Sequence, residues 1–481
     1  MAKLGRPANG GRRSTREFQY QFFDAADPPV GALDTYWNEE GTLPEIGLNY
    51  DRDIGPWSLA LVGLRSQDPR QYHEEAISTD ASGAVEEFTI QDIEYENVET
   101  IVRGTLSRVL NADHRIEFGG EGALNTLDSA LSLTVDDGGG PVLQPIPNSN
   151  IVVEEERAEF FGVHSWTLSE AWSLETRVAW ETSTLTFTGD ANNATELAFW
   201  KPSLQLTHNF GGESHARVRL YRDVGQLDFN DFASAVSLAD ERIDGGNPDL
   251  RPQSDWRFEF GADLRFPGGA ALGVTLTHHD ITDVNDLVPL TATVPNPDEN
   301  PGVPGDETIE IIFDAPGNLS QAEAWSLNLS LASPVPLIAN ARLMLDAEFW
   351  DSEVADPVTG AARIISGQPE SSVEIGFRQD FPDMRWSWGF DFTREGEIQG
   401  YYLSEIDTTE EGSWLELWWE TSALPNDMKL RITAINAADR VYDRDRIFFD
   451  GDRNGSRVGR QITQRFYQTS PWLTMRLSGA F

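Results

Sequence analysis

Cysteine is absent from the 481 residues, which removes disulfide frameworks and thiolate metal sites. No apolar run reaches the roughly 18 residues that a membrane-crossing helix needs, so a helical membrane protein is excluded. Lysine is almost missing: it stands only at Lys3, Lys201 and Lys429, and arginine supplies the other positive charges, a bias that base composition explains. Positive charge is scarce overall, with 36 Lys and Arg against 79 Asp and Glu for a net charge of -43. Such a chain repels phosphate backbones, which excludes nucleic acid as a partner. The opening MAKLGRPANGGRRSTREFQYQFF has basic residues but no apolar core behind them, so it does not read as a signal peptide. The expectation is a start upstream of Met1 or a truncated gene. Catalytic signatures are missing too: no Gly-rich phosphate loop ending in Lys, no paired-His zinc helix, no Ser elbow between glycines. No enzyme is expected.

What the sequence does have is period-2 alternation, the mark of strands with one apolar and one polar face. From Asp255 to Phe266, Trp256, Phe258, Phe260, Ala262, Leu264 and Phe266 alternate with Asp255, Arg257, Glu259, Gly261, Asp263 and Arg265. Met384, Trp386, Trp388, Phe390 and Phe392 likewise oppose Arg385, Ser387, Gly389, Asp391 and Thr393. Trp172, Leu174, Val178 and Trp180 oppose Ser173, Glu175, Arg177 and Glu181. A hydrophobic content of 39% fits strands that are only half apolar.

The connections alternate in length. Short turns fall at 52–56, 111–114, 169–171, 211–213, 267–269, 382–383 and 425–427. Long polar segments lie between them at 66–97, 135–155, 225–254, 286–318, 351–370, 398–412 and 446–464. Short turns on one side and long loops on the other are the pattern of outer-membrane barrels, and the spacing gives about 18 strands. The fold class read from the residues is therefore all-β: a transmembrane, antiparallel, up-and-down β-barrel with short periplasmic turns and long extracellular loops. Residues 1–15 read as a disordered or fragmentary N-terminus and 16–481 as the barrel. Tryptophans near strand ends (Trp57, Trp166, Trp172, Trp200, Trp256, Trp350, Trp414, Trp472) fit girdles at the two membrane interfaces. A soluble sandwich or propeller also alternates, but seldom sets outward aromatics against an Arg/Asp/Glu-rich face over so many hairpins.

Three segments carry a family resemblance. Gly245 to Pro252 reads GGNPDLRP just before the alternating strand at Trp256. Gly246, Asn247, Pro248, Leu250 and Pro252 resemble the segment that precedes a barrel strand in TonB-dependent outer-membrane receptors. Physically it reads as glycines for a left-handed turn, prolines that stiffen the descent and Leu250 seated on the wall. At the C-terminus Leu473, Met475, Leu477, Gly479 and Phe481 share a face, which resembles the signal read by the barrel-assembly machinery. Lys429 to Gly455, with Asn436, Tyr442 and Arg444, is similar to the family's penultimate strand. The resemblance covers roughly 41–481. It implies an outer-membrane location among lipid and lipopolysaccharide, a monomer, and energy-coupled uptake of a small-molecule ligand such as a ferric siderophore, a cobalamin or a glycan fragment. The family's barrel has about 22 strands around a plug. The plug and the TonB-binding segment are expected in a missing N-terminal region, together with about four strands.

Ligand contacts are expected in the loops 66–97, 135–155, 225–254 and 286–318. No cofactor is expected, apart from a calcium reading of Asp450, Asp452 and Asn454, which match the start of a D-x-D-x-N-G loop although Gln461 stands where a bidentate Glu belongs. His278 and His279 are neighbours on a strand and point to opposite faces, so they do not share a metal. Arg177, Arg217, Arg219, Arg257, Arg265, Arg378 and Arg385 are expected to form charge ladders with lumenal carboxylates. An ungated porin of about 18 strands, or a structural barrel, is the competing reading.

Overall fold

The computed structural model describes residues 8–21, 31–240, 242–297, 307–425, 428–466 and 470–479. Antiparallel strands follow one another in chain order from Ala8–Gln21 to Trp472–Ser478 in a single sheet. Eighteen staves result when Gly31–Leu43 and Glu45–Ile54 are taken as one strand interrupted at Pro44 and four strands of two or three residues are set aside. The first stave starts at Ala8 rather than at Arg16. Among the described residues no ladder joins the last stave to the first.

The register lines up the apolar residues. Trp166, Leu174, Leu206, Val218, Phe260, Leu276, Leu327 and Phe349 are successive cross-strand partners over eight staves. Trp166, Val218, Phe260, Leu276 and Phe349 stay exposed. A row of exposed apolar side chains across so many strands is a lipid-facing belt, since water would penalise it. Near the short-turn end His114 stacks on Trp166 with ring centroids 5.4 Å apart and Trp172 tilts on His208 at 4.3 Å, aromatic pairs suited to an interface.

The opposite face is laced with charge. Arg103, Glu121, Arg157, Glu181, Lys201, Glu159 and Arg177 form one chain of ion pairs across five staves. Arg217 continues the theme with Glu259 at 2.9 Å and Asp263 at 3.1 Å, and Arg257 reaches Asp223 at 3.0 Å. Arg385 departs from the expectation: it stands in the turn after Pro382–Met384 with φ 53, and Met384 lies in that turn rather than on the strand.

Two expectations about connections change. Within 66–97 and 286–318 the described residues are mostly continued ladder rather than loop. Trp57–Asp80 pairs with Val85–Val109, and Ala271–Pro295 with Thr308–Pro334, almost to their tips. Above the lipid both faces of a strand can be polar, so alternation in hydropathy fades while the backbone pairing goes on. The second change is a short turn at 335–340, with Leu337 97% exposed, which closes the hairpin between Thr308–Pro334 and Ala341–Ala355.

Candidate functional site

At the long-loop end the inner face of the sheet turns from charged to apolar. Leu127, Ile151, Val153, Leu185 and Phe187 are buried there, and segment 225–254 folds onto them. Its turn Phe229–Phe232 is capped by Asp228, which accepts the Asn230 amide at 3.0 Å, and Phe232 is driven edge-on against Phe187 at 5.1 Å between ring centroids.

The GGNPDLRP segment locks this fold. Leu250, 2% exposed, packs in the same cluster. Neither Gly245 nor Gly246 has a positive φ, so the expected left-handed turn is not what they provide. They allow close approach instead: a Cβ at Gly245 would stand 2.0 Å from the Phe313 ring and one at Gly246 2.2 Å from the Phe232 carbonyl oxygen. The Gly246 amide donates to Ser234 Oγ at 2.9 Å, and Asn247 Nδ2 donates to the Pro316 carbonyl at 2.8 Å. Asn318 then ties the descent, its Oδ1 accepting the Arg251 amide at 2.8 Å.

Over this floor lies a second sheet. Ile398–Tyr401, Glu405–Glu411, Tyr442–Phe449 and Val458–Phe466 pair antiparallel in that order. The expected penultimate strand is thus divided: Lys429–Ile435 is a barrel stave, Asn436 turns the chain with φ 54, and Tyr442 and Arg444 belong to the cover. Nothing in the alternation announced that division.

Arginines bolt the cover to the loops beneath. Arg444 grips Asp407 through Nε at 2.9 Å and Nη2 at 2.5 Å, and gives Nη1 to Asp240 at 2.6 Å. Arg446 takes Glu405 at 2.5 and 3.1 Å and the Asp240 carbonyl at 3.0 Å. Arg453 reaches Asp356 at 2.7 Å, which also accepts from Arg363 Nε at 2.8 Å, while Arg363 Nη1 donates to Asp286 at 2.7 Å. Arg242 lies over the Tyr402 ring, 4.0 Å from its centroid. Burial would raise the Asp240 carboxyl, but the hydrogen bond and charge of Arg444, with Arg446 and Arg242, hold it below the ordinary range. Burial pushes the Asp314 carboxyl up to about 6, against the Leu403 amide at 2.8 Å and the charges of Arg242 and Arg453. Burial likewise takes the Tyr402 phenol up to about 12.

Between floor and cover is a cavity of about 380 Å³ whose walls include Asp231, Asp286, Asp407, Ser366, Leu287 and Ile398. A larger opening of about 630 Å³ lies elsewhere on the sheet around Glu40, Glu94 and Arg70. Arg70 there is already taken by Glu39 at 2.7 Å and Asp68 at 2.9 Å.

A sequence profile of the family described as TonB dependent receptor-like, beta-barrel matches residues 4–415. This chain belongs to that receptor-barrel family. No curated protein matches it by sequence. Among solved structures it is similar to the siderophore receptor PiuA from Acinetobacter baumannii, at 10% identity and TM-score 0.54, over 98% of this chain and 79% of that one. The copper transporter OprC matches at 11% identity and TM-score 0.55, over 98% and 81%. The ferric yersiniabactin uptake receptor FyuA from Yersinia pestis matches at 9% identity and TM-score 0.55, over 97% and 77%. Likenesses at such identities carry the fold. The receptor barrel is an outer-membrane protein, and its family and structural neighbours are receptors and transporters.

In this receptor barrel the sites anticipated from sequence fall in different places. Leu473, Met475 and Leu477 are exposed on the last stave and Gly479 follows it, whereas Phe481 lies outside the described residues. Segments 225–254 and 286–318 contribute to the cavity through Asp231, Asp286 and Leu287; among the described residues none of 66–97 or 135–155 lines it. The cover at 398–411 and 442–466 was missed as a site, and its one visible signal was the run of arginines at Arg440, Arg444, Arg446 and Arg453 among acids. In the proposed calcium turn, Asp450 accepts from Arg457 Nη2 at 2.8 Å and Asp452 from the Asn454 amide at 2.9 Å. Among the described residues no three His, Asp or Glu side chains converge as a metal site. His278 stacks edge-on with Trp325 at 4.6 Å, while His279 is buried on the other face with Asp255 at 2.9 Å.

Proposed function

We propose that the chain forms the wall and loops of a ligand-gated receptor that imports a scarce small molecule across the outer membrane, with energy supplied through TonB. A metal-carrying organic ligand is the favoured cargo class, because the similar solved proteins are named for siderophores, ferric yersiniabactin and copper. TonB and a plug are engaged through a segment N-terminal to the staves. The single observation that supports gating is the cover: buried Arg–carboxylate pairs hold residues 398–411 and 442–466 across segment 225–254. An ungated porin gains nothing from such a closure, and charges taken out of water are costly to arrange.

The test is radiolabelled uptake in cells that express the receptor gene. Uptake that stops when the proton gradient is collapsed or TonB is deleted supports the proposal. Steady, ligand-independent conductance in planar bilayers, with uptake indifferent to TonB, would establish a porin instead.

A further inference from the structure

The cavity between floor and cover is acidic, but its acids are not equivalent. Asp407 is held two-pronged by Arg444, and Asp286 accepts from Arg363 at 2.7 Å and from the amides of Ser366 and Leu287 at 3.1 and 2.7 Å. Asp231 is different. Among the described residues its carboxylate has no hydrogen bond and no ion pair, while its backbone is committed to Asn247 at 2.9 Å and Asp228 at 3.1 Å. Asp228, three residues before it on the same turn, adds a second negative charge. Ser366 also borders the cavity, and among the described residues its Oγ, out of contact with solvent, has no hydrogen-bond partner.

Among the described residues no lysine or arginine lines the cavity, so an anion finds no counter-charge on its walls. One free carboxylate is too few for a metal ion, which takes three or more protein ligands in a resident site. The remaining walls include Leu287, Pro316 and Ile398, which suit an apolar body. We infer that the cavity binds a small organic cation, a primary amine on an apolar body, with the ammonium on Asp231, a polar group toward Ser366 and the body against Leu287 and Ile398. This rests on the receptor reading and gives it a ligand chemistry. The burial that leaves Asp231 titrating near 6, with Asp228 beside it, is relieved when a cation arrives. A surplus of -43 charges draws such a ligand to the mouth from solution.

Titration calorimetry on the whole chain, refolded in detergent micelles, tests the inference with benzylamine and its uncharged counterpart benzyl alcohol as probes. Benzylamine should bind at least about ten-fold more tightly than benzyl alcohol, the scale of one charge-assisted hydrogen bond. Asp231→Asn should erase that difference. Equal binding of the two probes, no benzylamine binding at all, or a preference that survives Asp231→Asn overturns the proposal. Should Asp231→Asn refold poorly, Leu287→Trp fills the cavity from its apolar side. That variant should lose benzylamine binding with its strand content intact, and retained binding also counts against the site. Amine binding in a protein that shows no TonB-dependent uptake would remove the receptor reading and leave this inference standing.

Discussion

Two carboxylates a short way apart show how position decides a side chain's behaviour. Asp240 is half-buried but faces Arg444 and Arg446, so its charge is welcome. Asp314 is half-buried with one amide and only the more distant charges of Arg242 and Arg453, and is pushed up to about 6. The signs follow. Asp240, lowered on folding, stabilises the native cover above its unfolded value and loses that contribution as pH falls. Asp314, raised on folding, is unpenalised below about 4 and costs progressively more as pH rises through about 6. Asp314→Asn keeps an acceptor for the Leu403 amide and removes the charge. It should stabilise the cover by about 1 kcal/mol at pH 7.5 and by almost nothing at pH 4, discounting for partial exposure. Hydrogen exchange at the amides around Leu403 measures this, and a pH-independent difference would contradict it.

At the scale of the strand, the membrane divides residues that look alike. Leu276 and Ile312 are both exposed aliphatics on neighbouring staves, yet Leu276 lies in the apolar row and Ile312 far along the hairpin toward its tip. Leu276→Arg should cost about 2–4 kcal/mol in folding into lipid vesicles, while Ile312→Arg should cost well under 1 kcal/mol. Urea titration of vesicle-folded protein separates the two; equal losses would place the belt elsewhere. The same division explains what the sequence made legible. Within the belt, alternation is imposed by lipid on one face and charge on the other, so strands, their direction and a count of about eighteen could be read. Above it that constraint lapses, and paired strands at 66–97 and 286–318 look like loop. The turn at 335–340 was missed because PVPLI is apolar and offers only its prolines as a signal. Which sheet Tyr442–Phe449 joins, or that Arg444 meets a carboxylate 204 residues away, depends on how loops fold over the mouth. No periodicity encodes that.

For the whole molecule, the cover is a unit whose bonds run between distant parts of one chain. Arg444→Ala takes the arginine from Asp407 and leaves Asp240 only the longer contacts of Arg446 at 3.4 Å and Arg242 at 3.9 Å. The expected loss is about 3 kcal/mol of cover stability with the barrel untouched. Limited proteolysis should then cut within 225–254 or 442–466 faster than in the parent protein, while circular dichroism still reports the strands. Cleavage at the parental rate would show that the cover is held by its apolar floor alone. A tall hairpin near the start of the barrel carries a different consequence. Strands of 24 and 25 residues, Trp57–Asp80 and Val85–Val109, measure roughly 80 Å along their length at about 3.3 Å per residue. Tilted by about 40° they still rise roughly 60 Å, some twice the thickness of the hydrocarbon layer. The protein therefore stands above its membrane by about as much again as it spans, and whatever approaches the cell, whether antibody, virus or neighbour, meets this spire before it meets the mouth.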